Sequence, residues 1–146
     1  MKSIILALFS AFILTLMSPG NSDKHSLTVE VNHLRNSDGV VQFALYNKDG
    51  TIPDEKYEHY YKIGKSNIVN GRATFTFSNL PEGKYAVNIL HDENKNGKID
   101  KGFILPIEGV GFSNYPAIGL RNRPKFSKAI FELNGNRKIN VKVIYM

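Results

Sequence analysis

The chain has 146 residues, 42% of them apolar and 11% aromatic, with no tryptophan, no cysteine and a formal net charge of +6. That length suits one domain with a genuine core, and the apolar fraction argues against a disordered chain. Without cysteine there are no disulfides, thiolate metal sites or Cys nucleophile, and no acylated Cys of the kind a bacterial lipoprotein carries.

Met1-Lys2-Ser3 gives a short positive start, and Ile4 to Met17 is an apolar run broken only by Ser10 and Thr15. This is the pattern of a signal peptide, since fourteen residues fall short of the roughly 20 that cross a bilayer as a helix. Small residues at Ser18 and Gly20 place cleavage near Gly20 or Ser22, with an uncleaved N-terminal anchor as the alternative because Pro19 disturbs the site. The expected organisation is a leader over 1–20 and one domain over 21–146, exported to the periplasm or beyond, with no transmembrane segment in the mature chain. Removing Lys2 leaves 18 basic against 13 acidic residues. The surplus is mild and scattered, with only Arg121, Arg123, Lys125 and Lys128 grouped, which reads as a solvated basic face and not as a nucleic-acid stripe.

The mature chain alternates with period two and shows no sustained helical period. Leu27, Val29 and Val31 form the inward face of a first strand, the turn Asn36-Ser37-Asp38-Gly39 follows, and Val41, Phe43 and Leu45 form a second. The pair is expected to be a hairpin. Asn47 to Asn67 is polar and rich in Tyr, an ordered loop or one short helix, and Tyr57 within it is expected outside the core. Ala73, Phe75 and Phe77 alternate up to the break Leu80-Pro81-Glu82-Gly83. In the next strand Tyr85, Val87 and Ile89 share one face and Ala86, Asn88 and Leu90 the other, ending at His91. Ala129, Phe131 and Leu133, the turn Asn134-Gly135-Asn136, then Ile139, Val141, Val143 and Tyr145 predict a last hairpin. Six or seven short strands, turn signals about every ten residues and no covering helices predict an all-β antiparallel sandwich.

The string Asn79-Leu80-Pro81-Glu82-Gly83-Lys84-Tyr85-Ala86-Val87 resembles the turn and strand entry of transthyretin-like and carboxypeptidase-regulatory-like sandwiches, in which the Tyr packs its ring and caps nearby backbone with its hydroxyl. His91 to Asp100, followed by Pro106, Glu108, Gly109, Gly111-Phe112-Ser113-Asn114 and Pro124-Lys125-Phe126, is similar to the bacterial family called domain of unknown function 2141, over roughly Leu27 to Tyr145. The resemblance implies an exported immunoglobulin-like or transthyretin-like sandwich of about seven strands and supplies no catalytic residues.

Asp92, Asn94, Asn96, Gly97 and Asp100 fit DxNxNGxxD, in which side-chain oxygens at alternate positions converge around a sharp reversal at Gly97. Calcium takes six to eight such oxygens, and by analogy with the EF-hand loop the ligands would be Asp92, Asn94, Asn96, the Lys98 carbonyl and Asp100. Ile99 is expected to turn inward as an anchor. Phe103 stands where an EF-hand has its bidentate Glu, so Glu108, or secondarily Glu93, is the expected ligand from outside the motif. With two core carboxylates and Lys95, Lys98 and Lys101 nearby, Ca2+ binding is expected to be weak. The competing reading is a tight Asn96-Gly97 turn whose Asx side chains cap their own backbone with no metal.

His91 beside Asp92 is expected to be structural. Ser113 lacks a nucleophile-elbow context, and His25, His33 and His59 lack metal-ligand spacing, so the chain reads as a non-enzyme. Phe112 and Tyr115 on a glycine-rich loop either stack on a ligand or plug the end of the sandwich. The expected function is an envelope or secreted binding module for an unknown protein or glycan. A purely structural envelope domain is the alternative, and a hydrolase acting through Asp92, Glu93 or Glu108 is a third reading.

Overall fold

Alternation in the sequence becomes paired strands in the computed structural model, which describes residues 23–146. The leader over 1–20 lies outside the described residues. In chain order the strands are β1 (His25–Val31), β2 (Val40–Tyr46), β3 (Lys62–Ser66), β4 (Ala73–Leu80), β5 (Gly83–Asp92), β6 (Gly109–Phe112), then one helical turn α1 (Phe126–Ala129), β7 (Phe131–Leu133) and β8 (Arg137–Asn140). The first sheet runs β4-β1-β8 and the second β3-β2-β5-β6. The long strand β5 carries β7 beside its first residues and β6 beside its last.

One core fills the space between the sheets. Leu27, Val29 and Val31 from β1 meet Val41, Phe43 and Leu45 from β2 and Tyr85, Val87 and Ile89 from β5, as the alternation requires. Each such side chain is worth about 1.5–3 kcal/mol of burial. Phe75 sits at the margin, stacked on Phe43 with ring centroids 5.8 Å apart. Outward residues of the first sheet remain near solvent, and Thr28 and Thr76 there share a hydroxyl hydrogen bond of 2.9 Å.

The second sheet is buried on its other face as well. Ala44, Tyr46, Ala86 and Leu90 point away from the first sheet into a second core with Ile52, Tyr57, Phe112, Tyr115 and Phe126. The connections after β2 and after β6 fold back across that face. This explains why β2 and β5 read as nearly continuous apolar runs, whereas β1 and β4 alternate cleanly. Tyr57, expected outside the core, is only 6% exposed and belongs to this layer. The 47–67 segment is therefore a packed loop ending in β3, with no helix.

Two expected hairpins are absent. β1 pairs with β4 and β8, and β2 with β3 and β5, so the Asn36–Gly39 turn lies on a crossing between sheets. Leu34, buried and held by its N–H on the Gly71 carbonyl at 3.1 Å, turns the chain inward there. Likewise β7 joins β5, whereas β8 joins β1 in parallel, so the segment after Leu133 also crosses. The β1–β8 pair departs from a wholly antiparallel plan. Turn residues mark where a chain reverses but do not say whether it returns to its own sheet or to the facing one, because both present apolar residues to the same core. Among the described residues no helix is long and apolar enough to cross a membrane.

Candidate functional site

At the end of β5 the chain leaves the sheet into the Asp92–Asp100 loop and returns through a second small hairpin to β6. Asp92 is fully buried, and its two carboxylate oxygens accept the N–H groups of Asn96 at 3.0 Å and Gly97 at 2.9 Å. Gly97 has φ of 76°, the left-handed conformation in which a residue without Cβ is least strained. Asn94 Oδ1 accepts from the Asn96 N–H and Asn96 Oδ1 from the Lys98 N–H, each at 3.0 Å. These are Asx bonds along one curve.

Beyond the curve, the Asn94 amide reaches Asp100 Oδ2 at 2.5 Å and the Asn96 amide reaches both Asp100 oxygens at 2.8 and 2.9 Å. The three side chains therefore converge. Glu108, 3% exposed, accepts the Glu93 N–H at 3.0 Å and the Asp100 N–H at 3.2 Å, so one carboxylate fastens both limbs of the loop. Burial raises its pKa, against the lowering effect of those two N–H bonds. Lys98 enters the network through its N–H. Ile99 is partly buried against the second core, and its N–H donates to the Glu55 carbonyl at 3.0 Å.

Glu93 has a different allegiance. Arg35 grips it with Nε at 2.8 Å and Nη2 at 2.5 Å, and the Asn36 amide adds a bond of 2.8 Å. The Arg35 hydrogen bond, against some burial, takes Glu93 down to about pKa 2. Arg35 also lies over the Tyr145 ring, 4.6 Å from its centroid, and Tyr145 reaches His91 Nδ1 at 2.7 Å. His91 Nε2 faces the Asp38 carbonyl at 2.9 Å, so both ring nitrogens have neighbours. Arg35, Asp38, Glu93, Asn94, Asp100 and Glu108 border one open polar depression. Asp92 is not in its lining, and Lys65 Nζ lies 3.8 Å from Asp92 Oδ2.

Among the described residues no three His, Cys, Asp or Glu side chains are grouped as a metal-holding set. Any cation here therefore depends on Asn oxygens and carbonyls. Asn94, Asn96 and Asp100 bring side-chain oxygens to this curve, with lone pairs beyond the hydrogen bonds they already accept, while both Asn amides aim their N–H groups at Asp100. Glu108, expected as the outside ligand, has each of its oxygens on one backbone N–H group and a further lone pair on each. Phe112 and Tyr115, weighed as a stacking surface, are each 4% exposed and meet edge to face inside the second core. Sequence reasoning missed Arg35, Asn36 and Lys65, which come from distant strands and connections.

Comparison with curated proteins and with solved structures finds no match. A family model described as "Uncharacterized protein conserved in bacteria (DUF2141)" matches residues 29–141. That span runs from the middle of β1 past the end of β8 and takes in the whole Asp92–Glu108 insert, so the chain belongs to the bacterial family called domain of unknown function 2141.

Proposed function

We propose that this protein is an exported binding module of the immunoglobulin-like or transthyretin-like sandwich type, whose working end is the Asp92–Glu108 insert and whose loop takes a calcium ion at Asn94, Asn96 and Asp100. The leader pattern of Met1 to Gly20 supports export. The observation that carries the reading is the convergence of both Asn side chains on the Asp100 carboxylate, over a backbone already curved by Asp92 and fastened by Glu108. A bound ion would take the Asp100 oxygens in place of the two Asn amide N–H groups, and the Asn oxygens would join it through the lone pairs that their backbone N–H partners leave. The few carboxylates and the nearby lysines put the dissociation constant on the order of 10⁻³ M, as in weak extracellular sites. At about 10 mM calcium that adds ~1.4 kcal/mol of stability, a rise of a few degrees in Tm. Magnesium should add less, since it demands tighter octahedral geometry and holds its water.

One observation favours a second reading, a structural domain without metal: the Asx oxygens and both oxygens of Asp92 and Glu108 already accept backbone N–H groups. Thermal melts of wild type and Asp100→Ala in calcium, magnesium and matched sodium chloride separate the two. A calcium-specific rise lost in Asp100→Ala supports the ion site. Equal responses to all three salts in both proteins leave the loop as a self-capped turn.

A further inference from the structure

The hairpin that follows the loop is apolar where solvent should make it polar. The Ile107 N–H bonds to the Asp100 carbonyl at 3.0 Å, Lys101 bridges to Pro106, and the Gly102 N–H bonds to the Leu105 carbonyl at 2.9 Å. This closes a tight tip over residues 102–105 and aims its side chains outward. Phe103 is 101% exposed, and Ile104 and Ile107 are each more than half exposed. Leu120 and Met146 add exposed apolar surface around the shallow groove that Ile104 and Leu105 border. A lone exposed leucine is ordinary, but a contiguous patch capped by a free phenyl ring marks a place that meets something apolar.

The charges around the patch indicate what it meets. Arg123 lines the groove, exposed Arg121 adjoins Leu120 in its lining, and Lys101 is held by Glu55 at 2.5 Å. Asp100 is covered by the two Asn amides, and the depression with Asp38, Glu93 and Glu108 lies on the Ile107 side, where Arg35 pairs with Glu93. The groove side of the tip, with Arg123 in its lining and Arg121 beside it, is therefore the cationic one. The tip is convex and its ring touches nothing, so it gains burial only by entering a yielding apolar medium, while the cations meet a negative surface. We propose that residues 102–105 insert into the interfacial layer of a bilayer rich in anionic lipid, with Arg121 and Arg123 against the headgroups. The proposal rests on placing the working end of the binding module at this insert, and it does not require the cation.

The chain contains no tryptophan, so Phe103→Trp supplies a single reporter at the tip. The test uses residues 21–146, which omit the apolar run of Ile4 to Met17 that would itself enter lipid, and it is run in EDTA. Vesicles of phosphatidylglycerol with phosphatidylethanolamine are expected to shift the emission of this introduced indole to the blue and to sediment the wild type. Phosphatidylcholine vesicles should do so far less, and added salt should weaken the binding. Phe103→Asp with Ile104→Asp should lower binding at least roughly tenfold, as expected when the inserted apolar side chains are lost. Its thermal melt should shift little, and that of Phe103→Asp alone not at all, because Phe103 has no packing to lose and Ile104 is half exposed. Emission that stays at its value in water under saturating anionic lipid overturns the proposal. So does undiminished binding by the Asp variant, or a patch whose only detectable effect is a self-dimer that Phe103→Asp dissolves. A calcium response in the melts without vesicle binding leaves the loop site standing and removes only the lipid partner.

Discussion

At the scale of single residues, environment separates groups that look alike in the sequence. Glu93 and Glu108 lie fifteen positions apart and border the same depression, yet Arg35 holds one carboxylate charged while burial resists charging the other. Because its folded pKa is depressed, Glu93 contributes stability above its ordinary value near 4.5, and this is lost as pH falls toward about 2. Glu108 acts with the opposite sign, its raised value making folding more favourable as pH falls through it toward 4.5. Arg35 is 42% exposed, so solvent screens the pair and Glu93→Gln should cost about 1 kcal/mol at pH 7. Urea melts at pH 7, 4 and 2.5 should show the gap between the two proteins closing on acidification; a constant gap would mean the charge contributes nothing. Tyr57 offers a second contrast. Its hydroxyl is the one buried side-chain polar atom without a partner among the described residues. Tyr57→Phe should therefore be neutral or slightly stabilising, whereas Tyr57→Ala should cost about 3–5 kcal/mol through the cavity it leaves. A loss above about 1 kcal/mol in Tyr57→Phe would reveal a bridging water at that hydroxyl. The sequence hid Tyr57 because its neighbours are polar and no period surrounds it.

At the scale of elements, the Asp92–Asp100 loop was the most legible part of the site. Alternate oxygen-bearing residues around a glycine describe a curve in any context, and Asp92, Asn94, Asn96 and Asp100 do curve together. What fastens that curve was not legible. Glu108 returns from the strand that follows, and Gln42 Nε2 reaches the Gly97 carbonyl at 3.1 Å from β2, contacts that local spacing cannot encode. The two Asp residues should therefore fail in different ways. Asp92→Ala leaves the half-buried Gly97 N–H without its acceptor and the Asn96 N–H with Asn94 Oδ1 alone, and should destabilise by about 1–3 kcal/mol in any buffer. Asp100→Ala removes only partly exposed side-chain contacts and should cost under about 1 kcal/mol without calcium. Denaturant melts in EDTA compare them directly, and equal costs would show that Asp100 is as structural as Asp92. Gly39 is a further fixed point. Its φ is 69°, and a Cβ there would run into the Asp92 carbonyl oxygen, so Gly39→Ala should be among the costlier small substitutions.

For the whole molecule, β1, β2, β4, β5 and β7 and their inward residues followed from periodicity, whereas β3 and β6 lie in segments read as loops and β8 ends at Asn140, before Val141 to Tyr145; Tyr85 caps the Pro81 carbonyl at 2.8 Å as its resemblance to known strand entries implied. The order of strands did not follow, because β1 and β2 face the same core from opposite sheets and period two cannot tell opposite sheets from adjacent strands. If the leader is cut as expected, mass spectrometry of exported protein should find a start near Asn21 or Asp23. That is just ahead of β1, so cleavage would cost the sandwich nothing. An intact Met1 in the membrane fraction would favour the anchor. The parallel pairing of β1 with β8 has a mechanical consequence. Leu27 to Glu30 lie in register with Arg137 to Asn140, and the Val141 N–H extends the seam to the Glu30 carbonyl at 2.9 Å. A load applied between residue 23 and residue 146 pulls these strands lengthwise in opposite directions, so their hydrogen bonds are strained together and cannot peel one at a time. Such a seam resists tension, and a domain tethered at one end and gripped at the other would hold its shape under drag.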